Sequence, residues 1–377
     1  YLMRNPLLVT ILGISIAGIT FGLVGPATVI LLERSKAPSW INGLSTMMLY
    51  ISVVLFSSLT GKLIDKFKVK KILLAGLVIV IIGSLGLVLW RNYFLLFIVR
   101  FILGIGSTFL FVSTEVLVNT ISNDSNRSAN ISLYVIFLSV GIAAGALLIW
   151  TVRIYEWLPF IIGAFMIFVV FLLESVLLNE FNSPAASDAT IRSFPFKSMP
   201  LIALASAALY GIFESSMGVV LPLYGLRNNF SEIQVSYFLA SFVIGGIILF
   251  YFIGKLAAKK NKFNLLLALS FFLVLLLCLP GLLLNFYVLI IVFFVIGGVV
   301  PAFYSIGLTY TIEKIERDFI AQANGHFVMS YGLGTLIGPV AGSMLVELNR
   351  QYGYWFATML LCLVYFFFFE LKKKKYY

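Results

Sequence analysis

Long apolar runs and short polar breaks alternate along the whole chain. The runs are around 20 residues or more, the length a helix needs to cross a hydrocarbon core of ~30 Å. The pattern predicts about twelve helices, at roughly 6–32, 41–64, 71–90, 93–121, 128–152, 156–178, 199–226, 232–257, 263–284, 286–312, 319–346 and 352–371. An even number puts both termini on one side.

Composition narrows the class. Hydrophobic residues make up 61% and charged residues 11%. A soluble protein of this length cannot hide that much apolar surface. The formal charge of +11 could serve nucleic acid. The basic residues sit instead in short loops between spans, with no soluble domain to hold such a ligand. Cys278 and Cys362 lie within apolar runs and form neither a disulfide framework nor a metal spacing. Arg4 precedes an apolar run too long for a signal peptide, so the first helix is expected to be retained.

The basic residues also orient the chain. Of the 26 lysines and arginines, 19 fall on the side that carries the tail Lys372-Lys373-Lys374-Lys375, and 6 fall opposite; Arg100 lies within a span. By the positive-inside rule the tail side is cytoplasmic, which makes this a multi-pass cytoplasmic-membrane protein with both termini inside.

The longest polar segment, Asn179 to Lys197, reads as a linker. It sets residues 1–178 and 199–377 apart as two six-helix bundles, with 179–198 as a cytoplasmic connection. A repeat supports the division. At a shift of 193 residues, Gly18, Gly25, Gly61, Gly104, Gly141 and Gly145 fall on Gly211, Gly218, Gly254, Gly297, Gly334 and Gly338. Chance gives about one such match at a given shift. The halves are not equivalent, because Ala258 stands where the first half has Asp65.

The break Gly61-Lys62-Leu63-Ile64-Asp65-Lys66-Phe67-Lys68-Val69-Lys70-Lys71 is a basic hinge with one carboxylate. Through Gly61, Asp65, Lys66, Lys70 and Lys71 it resembles the loop between helices two and three of the major facilitator superfamily. It departs from that pattern at Lys68, where the family usually has glycine. Arg100-Phe101-Ile102-Leu103-Gly104-Ile105-Gly106 resembles the superfamily's fourth-helix motif. Gly334 to Gly342, with Gly338 and Pro339, resembles its Gly-x-x-x-Gly-Pro-x-x-Gly pattern. The antiporter version of that pattern belongs on helix five. There Gly141-Ile142-Ala143-Ala144-Gly145-Ala146 lacks the proline, which weakens a claim of drug or proton antiport. Three blocks are also similar to the YcaD-like branch: Glu115 to Tyr134, Leu221 to Tyr224, and Gly297-Gly298 with Tyr304-Ser305.

The resemblance implies an all-α membrane fold of two pseudo-symmetric six-helix bundles around a central cavity, working by alternating access. It implies that helices one, four, seven and ten line the cavity. It also implies that Asp65, Glu115 and Arg127 latch a cytoplasmic gate with Gly61, Lys66, Lys70 and Lys71, while Gly104, Gly106, Gly334, Gly338, Pro339 and Gly342 serve helix packing.

Polar residues within spans are the candidate chemistry. Glu214 sits near the middle of helix seven, where an ionised carboxylate costs at least ~2.5 kcal/mol unless protonated, paired or hydrated. It reads as a proton or cation site, or as a neutral acid bonded to a neighbouring helix. Arg100 reads as a cavity residue or as a cation snorkelling to the headgroups. Glu115 reads as a latch or as a hydrated carboxylate. Tyr210, Tyr224 and Tyr304, together with Phe213 and Tyr310, are placed to stack on a substrate or to bond with it. His326, the only histidine, reads more readily as a packing residue than as a titrating one, and a single histidine builds no zinc site.

The sequence therefore points to a monomeric secondary transporter of a small solute, coupled to protons, with no cofactor, no metal and no ATP-binding loop. Uptake symport in place of export remains open. An intramembrane enzyme would need a clustered catalytic set that these scattered carboxylates do not supply.

Overall fold

The computed structural model describes residues 5–123, 126–178, 195–316 and 319–376. Most of the expected linker lies outside these residues, as do Arg192 and Arg317. Among the described residues there are twelve helices long and apolar enough to cross a membrane, and no strand. They are α1 Pro6–Arg34, α2 Ser39–Phe67, α3 Val69–Gly86, α4 Tyr93–Ile121, α5 Arg127–Leu147, α6 Leu158–Leu177, α7 Leu201–Arg227, α8 Glu232–Lys259, α9 Lys262–Leu282, α10 Phe286–Lys314, α11 Ile320–Leu348 and α12 Gly353–Tyr376. The chain divides into two compact units, Tyr1–Asp188 and Ala189–Tyr377.

Asparagine and serine start several helices by accepting hydrogen bonds from free backbone N–H groups, which have no partner within a first turn. Asn5 caps α1, Asn92 caps α4, Asn261 caps α9 and Asn285 caps α10, while Ser231 and Gln234 form a capping box on α8. Two helices stop short of the expected ends. α3 tightens into a 3₁₀ turn over Leu87–Leu89, and α5 is followed by another over Ile149–Arg153.

The hinge between α2 and α3 is tighter than the sequence suggests. Lys62 to Phe67 contain no helix breaker, so α2 runs through them, and α3 begins at Val69. Lys68 alone makes the turn, at φ 71° and ψ 150°. That conformation is essentially reserved for glycine, because a Cβ crowds the backbone there.

In the first unit α1 packs on α5 and α6, α2 on α4, and α3 on α4 and α6. In the second, α7 packs on α11 and α10, α8 on α10, and α9 on α12 and α10. Glycines set the closest approaches, and they do so in the same register in both units. A methyl group at Gly18 would collide with Leu138 O and Ile142 N on α5. At Gly211 it would collide with Tyr331 O and Thr335 N on α11, the positions 193 residues later. Gly145 and Gly338 lie against the backbones of Ile19 and Ile212, and Gly104 and Gly297 against Leu49 O and Phe242 O. Small residues allow such backbone contact, and packing of this kind drives association where lipid removes the hydrophobic drive.

Each unit keeps apolar side chains both inside and out. Leu73, Leu77, Leu110, Leu117, Ile167 and Val170 belong to the core of the first unit. Leu55, Ile82, Ile291 and Val364 are exposed, as a hydrocarbon-facing surface requires. Most buried hydroxyls are satisfied locally or across helices, Ser84 and Ser113 being exceptions. Ser107 and Thr108 donate to Leu103 O and Gly104 O one turn back. Thr20 donates to Gly163 O, Ser330 donates to Leu204 O, and Ser216 bonds Tyr354 at 2.6 Å. Without water in the bilayer core, each unmade bond costs several kcal/mol.

Candidate functional site

In the second unit α7, α10 and α11 bring one carboxylate and three tyrosines together. The contact of Gly211 with α11 lays α7 and α11 side by side. Glu214 lies one turn beyond Gly211, and Tyr331 lies one turn before Gly334. The Tyr331 hydroxyl donates to Glu214 Oε2 at 3.1 Å. Tyr210 stacks on Tyr331 with ring centroids 5.5 Å apart and planes at 20°. Tyr304 on α10 closes the group, 5.3 Å from Tyr210 and 5.4 Å from Tyr331. All four side chains are half-buried, so the cluster lies at a surface of its unit without facing it fully. A carboxylate beside aromatic faces attracts a cation twice over, by its charge and by the ring quadrupoles.

Two of the expected tyrosines stand elsewhere. Tyr224 has 0% exposure, donates to Pro280 O at 2.6 Å and packs edge-on against Trp355 and Phe293. Its hydroxyl is used up in tying α7 to α9. Tyr310 is buried against Phe263 on α9. His326 lies edge-to-face with Phe196, apart from the cluster. Tyr331 escaped the sequence reading because α11 is not among the helices expected to line a cavity. The signal was the glycine pair itself, since a close α7–α11 contact brings residues one turn from it within reach.

In the first unit Arg100 on α4 is buried, with 2% exposure, so it does not snorkel out of its unit. Its Nη2 donates to Gly25 O at 3.2 Å, and its Nε has no partner. Beside it is a cavity of about 40 Å³ lined by Thr20, Phe21, Val24, Gly25, Leu49, Arg100 and Leu103. That space is enough for water or a small anionic group, which a guanidinium with a spare donor can hold.

The repeat shows that each group is unique to its half. The equivalent of Glu214 is Phe21, which packs on Phe111 at 5.0 Å, and Phe111 is the equivalent of Tyr304. The equivalent of Arg100 is Phe293, stacked on Trp355.

The residues expected to form a gate collect at the α2–α3 turn end of the first unit but do different things. Asp65, Lys66, Lys71, Glu115 and Arg127 are exposed there. Lys66 lies over the Phe67 ring at 5.2 Å. Lys70 turns inward and donates to Ser175 O at 2.8 Å and Leu178 O at 2.6 Å, capping the end of α6. Gly61 has open space around it. The packing residues all meet a neighbour: Gly104 meets α2, Gly106 meets Val80 on α3, Gly334 and Gly338 meet α7, and Gly342 meets Val220 and Tyr354. Pro339 lies within α11. Among the described residues no cluster of histidine, cysteine, aspartate and glutamate is arranged to hold a metal ion.

Comparison with known proteins adds the lineage. The sequence profile described as Major Facilitator Superfamily matches residues 10–285. The uncharacterized MFS-type transporter YfkF of Bacillus subtilis is 28% identical over 364 residues, covering 95% of this chain and 93% of the relative. The uncharacterized MFS-type transporter YcaD of Escherichia fergusonii is 22% identical, covering 91% of this chain and 89% of its own. The crystal structure of nucleoside transporter NupG aligns with a TM-score of 0.79 at 16% identity, covering 98% of this chain and 99% of that one. At that identity the likeness establishes the fold alone.

Proposed function

Because the chain belongs to the major facilitator superfamily, we propose that it is a secondary active transporter, moving a small solute across the cytoplasmic membrane by alternating access and coupled to protons. The observation that carries this reading is Glu214 in its tyrosine cluster. A carboxylate within a span, bonded by one tyrosine and flanked by two more, is a group that takes up either a proton or the cationic part of a solute.

Tyr210, Tyr304 and Tyr331 form the walls of the substrate site. In the first half Arg100, beside its own cavity, is the seat of an anionic group. Asp65, Glu115 and Arg127, with Lys66 and Lys71, form the inner gate. Lys70 holds the end of α6. The two six-helix halves, joined by residues 179–198, are the moving parts, and one chain carries both, so the unit of transport is a monomer. The lysine and arginine bias supports an orientation with both termini in the cytoplasm.

The test has two stages. A panel of small solutes is screened for stabilisation of the purified protein against heat, in parallel with Glu214→Gln. A ligand that binds the folded state raises its stability by mass action. Expected hits stabilise the wild type and not the variant. Hits are then assayed in proteoliposomes under an imposed pH gradient. Gradient-driven accumulation or efflux in the wild type, lost in Glu214→Gln, supports the reading and gives its direction. Ligands that stabilise both proteins equally would remove Glu214 from the substrate site. Transport that is indifferent to the gradient would remove the proton.

A further inference from the structure

The acid of the tyrosine cluster has no counter-charge in its own unit. Among the described residues the Glu214 carboxylate accepts one hydrogen bond, from the Tyr331 hydroxyl to Oε2, which leaves Oε1 open to an incoming group. On α7, α10 and α11 the only arginine and lysine are Arg227 and Lys314, each at a helix end. Lys314 lies over the Tyr310 ring at 5.7 Å, and His326 faces Phe196. Cations on the neighbouring helices are engaged elsewhere: Lys262 pairs with Glu313 at 2.7 Å, and Lys255 and Lys372 lie over Tyr251 and Phe368.

The surroundings of Glu214 decide which cation fits. A sodium or potassium ion gives up a tightly held water shell and needs a set of oxygen ligands in return. This cluster offers one carboxylate among ring faces. An ammonium whose hydrogens are replaced by alkyl groups is weakly hydrated and is held by aromatic faces. The arrangement of the rings narrows the shape. Tyr210 and Tyr331 are within 20° of parallel, and Tyr304 crosses them at 57° and 76°. Faces in two orientations beside a carboxylate suit a compact, rounded head better than a flat ring system, which stacks on one face only.

We propose that the solute recognised in the second unit is a compact alkylated ammonium. Its positive head is seated against the Glu214 carboxylate and the faces of Tyr210, Tyr304 and Tyr331. The proposal rests on the reading of Glu214 as part of the substrate site and adds the chemical class of the substrate.

Calorimetric titration of the purified full-length protein in lipid nanodiscs tests this, with tetramethylammonium, tetraethylammonium and choline as probes. At least one is expected to bind, while sodium chloride at the same concentration gives no saturable heat. The carbon analogue of choline, in which a neutral tert-butyl group replaces the trimethylammonium, is expected to bind about tenfold more weakly or not at all. Glu214→Gln is expected to lose about tenfold or more in affinity for the ammonium. Tyr210→Phe keeps the ring face and should bind as the wild type does, whereas Tyr210→Leu should lose about three- to thirtyfold. Should Glu214→Gln not fold, the carbon analogue on the wild type and the two Tyr210 variants still decide the matter. If no ammonium binds, or the carbon analogue binds as tightly, or Tyr210→Leu matches Tyr210→Phe, the proposal is overturned. Should solutes of another class then prove to need Glu214, the reading of Glu214 survives without it. Ammonium binding that is equal in Glu214→Gln would overturn both.

Discussion

The turn at Lys68 offers a backbone test of the structure that needs no substrate. The perturbation is Lys68→Gly. A side chain at φ 71° and ψ 150° lies in a region that is essentially glycine's, at a cost of about 1–3 kcal/mol. Glycine relieves that cost but loses about 0.4–1 kcal/mol through the greater freedom of the unfolded chain. Lys68 lies outside both helices, so no helix propensity is lost, and its N–H keeps its bond to Ile64 O at 2.9 Å. The expected net gain is about 1 kcal/mol, the difference of those two terms. Equilibrium unfolding in mixed detergent micelles would measure it, with Lys68→Ala as the control. Alanine removes the lysine side chain but keeps the Cβ, so it should bring no gain. If alanine stabilises as much as glycine, the benefit comes from the lost ammonium and the strain argument is wrong. If glycine destabilises, the turn does not have this conformation in the membrane.

Other outcomes follow from the contacts described. Gly141→Val and Gly334→Val should each cost about 1–3 kcal/mol or block folding, because the added side chain meets the backbone of α1 or α7. Gly25→Ala and Gly218→Ala face open space and should be neutral or stabilising by up to about 1 kcal/mol; the same unfolding assay compares all four. Lys70→Met should destabilise by about 1–3 kcal/mol, since two carbonyls at the end of α6 lose their charged donor. For a ligand identified through Glu214, Tyr331→Phe should weaken binding about tenfold, the loss of one hydrogen bond to a charged group; calorimetric titration would show it, and unchanged affinity would take Tyr331 out of the site.

Much of this molecule was legible because membrane helices are written plainly. A run of about 20 apolar residues has few other uses, and four of the six glycine pairs in the 193-residue repeat proved to repeat a backbone contact. Asn92 and Asn285 extend it, each accepting a hydrogen bond from the residue three positions on, Leu95 and Val288. What escaped the sequence depended on side-chain direction. Asp65 to Phe67 fell outside the expected helix because of their charge, yet lysine is a good helix former and nothing there breaks the helix. Glu174, four residues from the expected end of its helix, carries no sign in the sequence that Gly13 of α1 lies against it. Tyr224 and Tyr304 are both tyrosines on helices expected to line a cavity, but only Tyr304 joins the Glu214 cluster, a difference that helix assignment alone does not resolve.

The duplication has a consequence for any attempt to simplify this chain. The two halves share their skeleton but have divided the ionic labour, with the buried guanidinium at Arg100 in one and the clustered carboxyl at Glu214 in the other. A tandem of two first halves would keep every glycine seam and own two guanidinium groups, with phenylalanine where the tyrosine-held acid belongs. A tandem of two second halves would have the reverse defect. In either hybrid each half should fold on its own seams, and neither hybrid should carry cargo that needs both signs of charge.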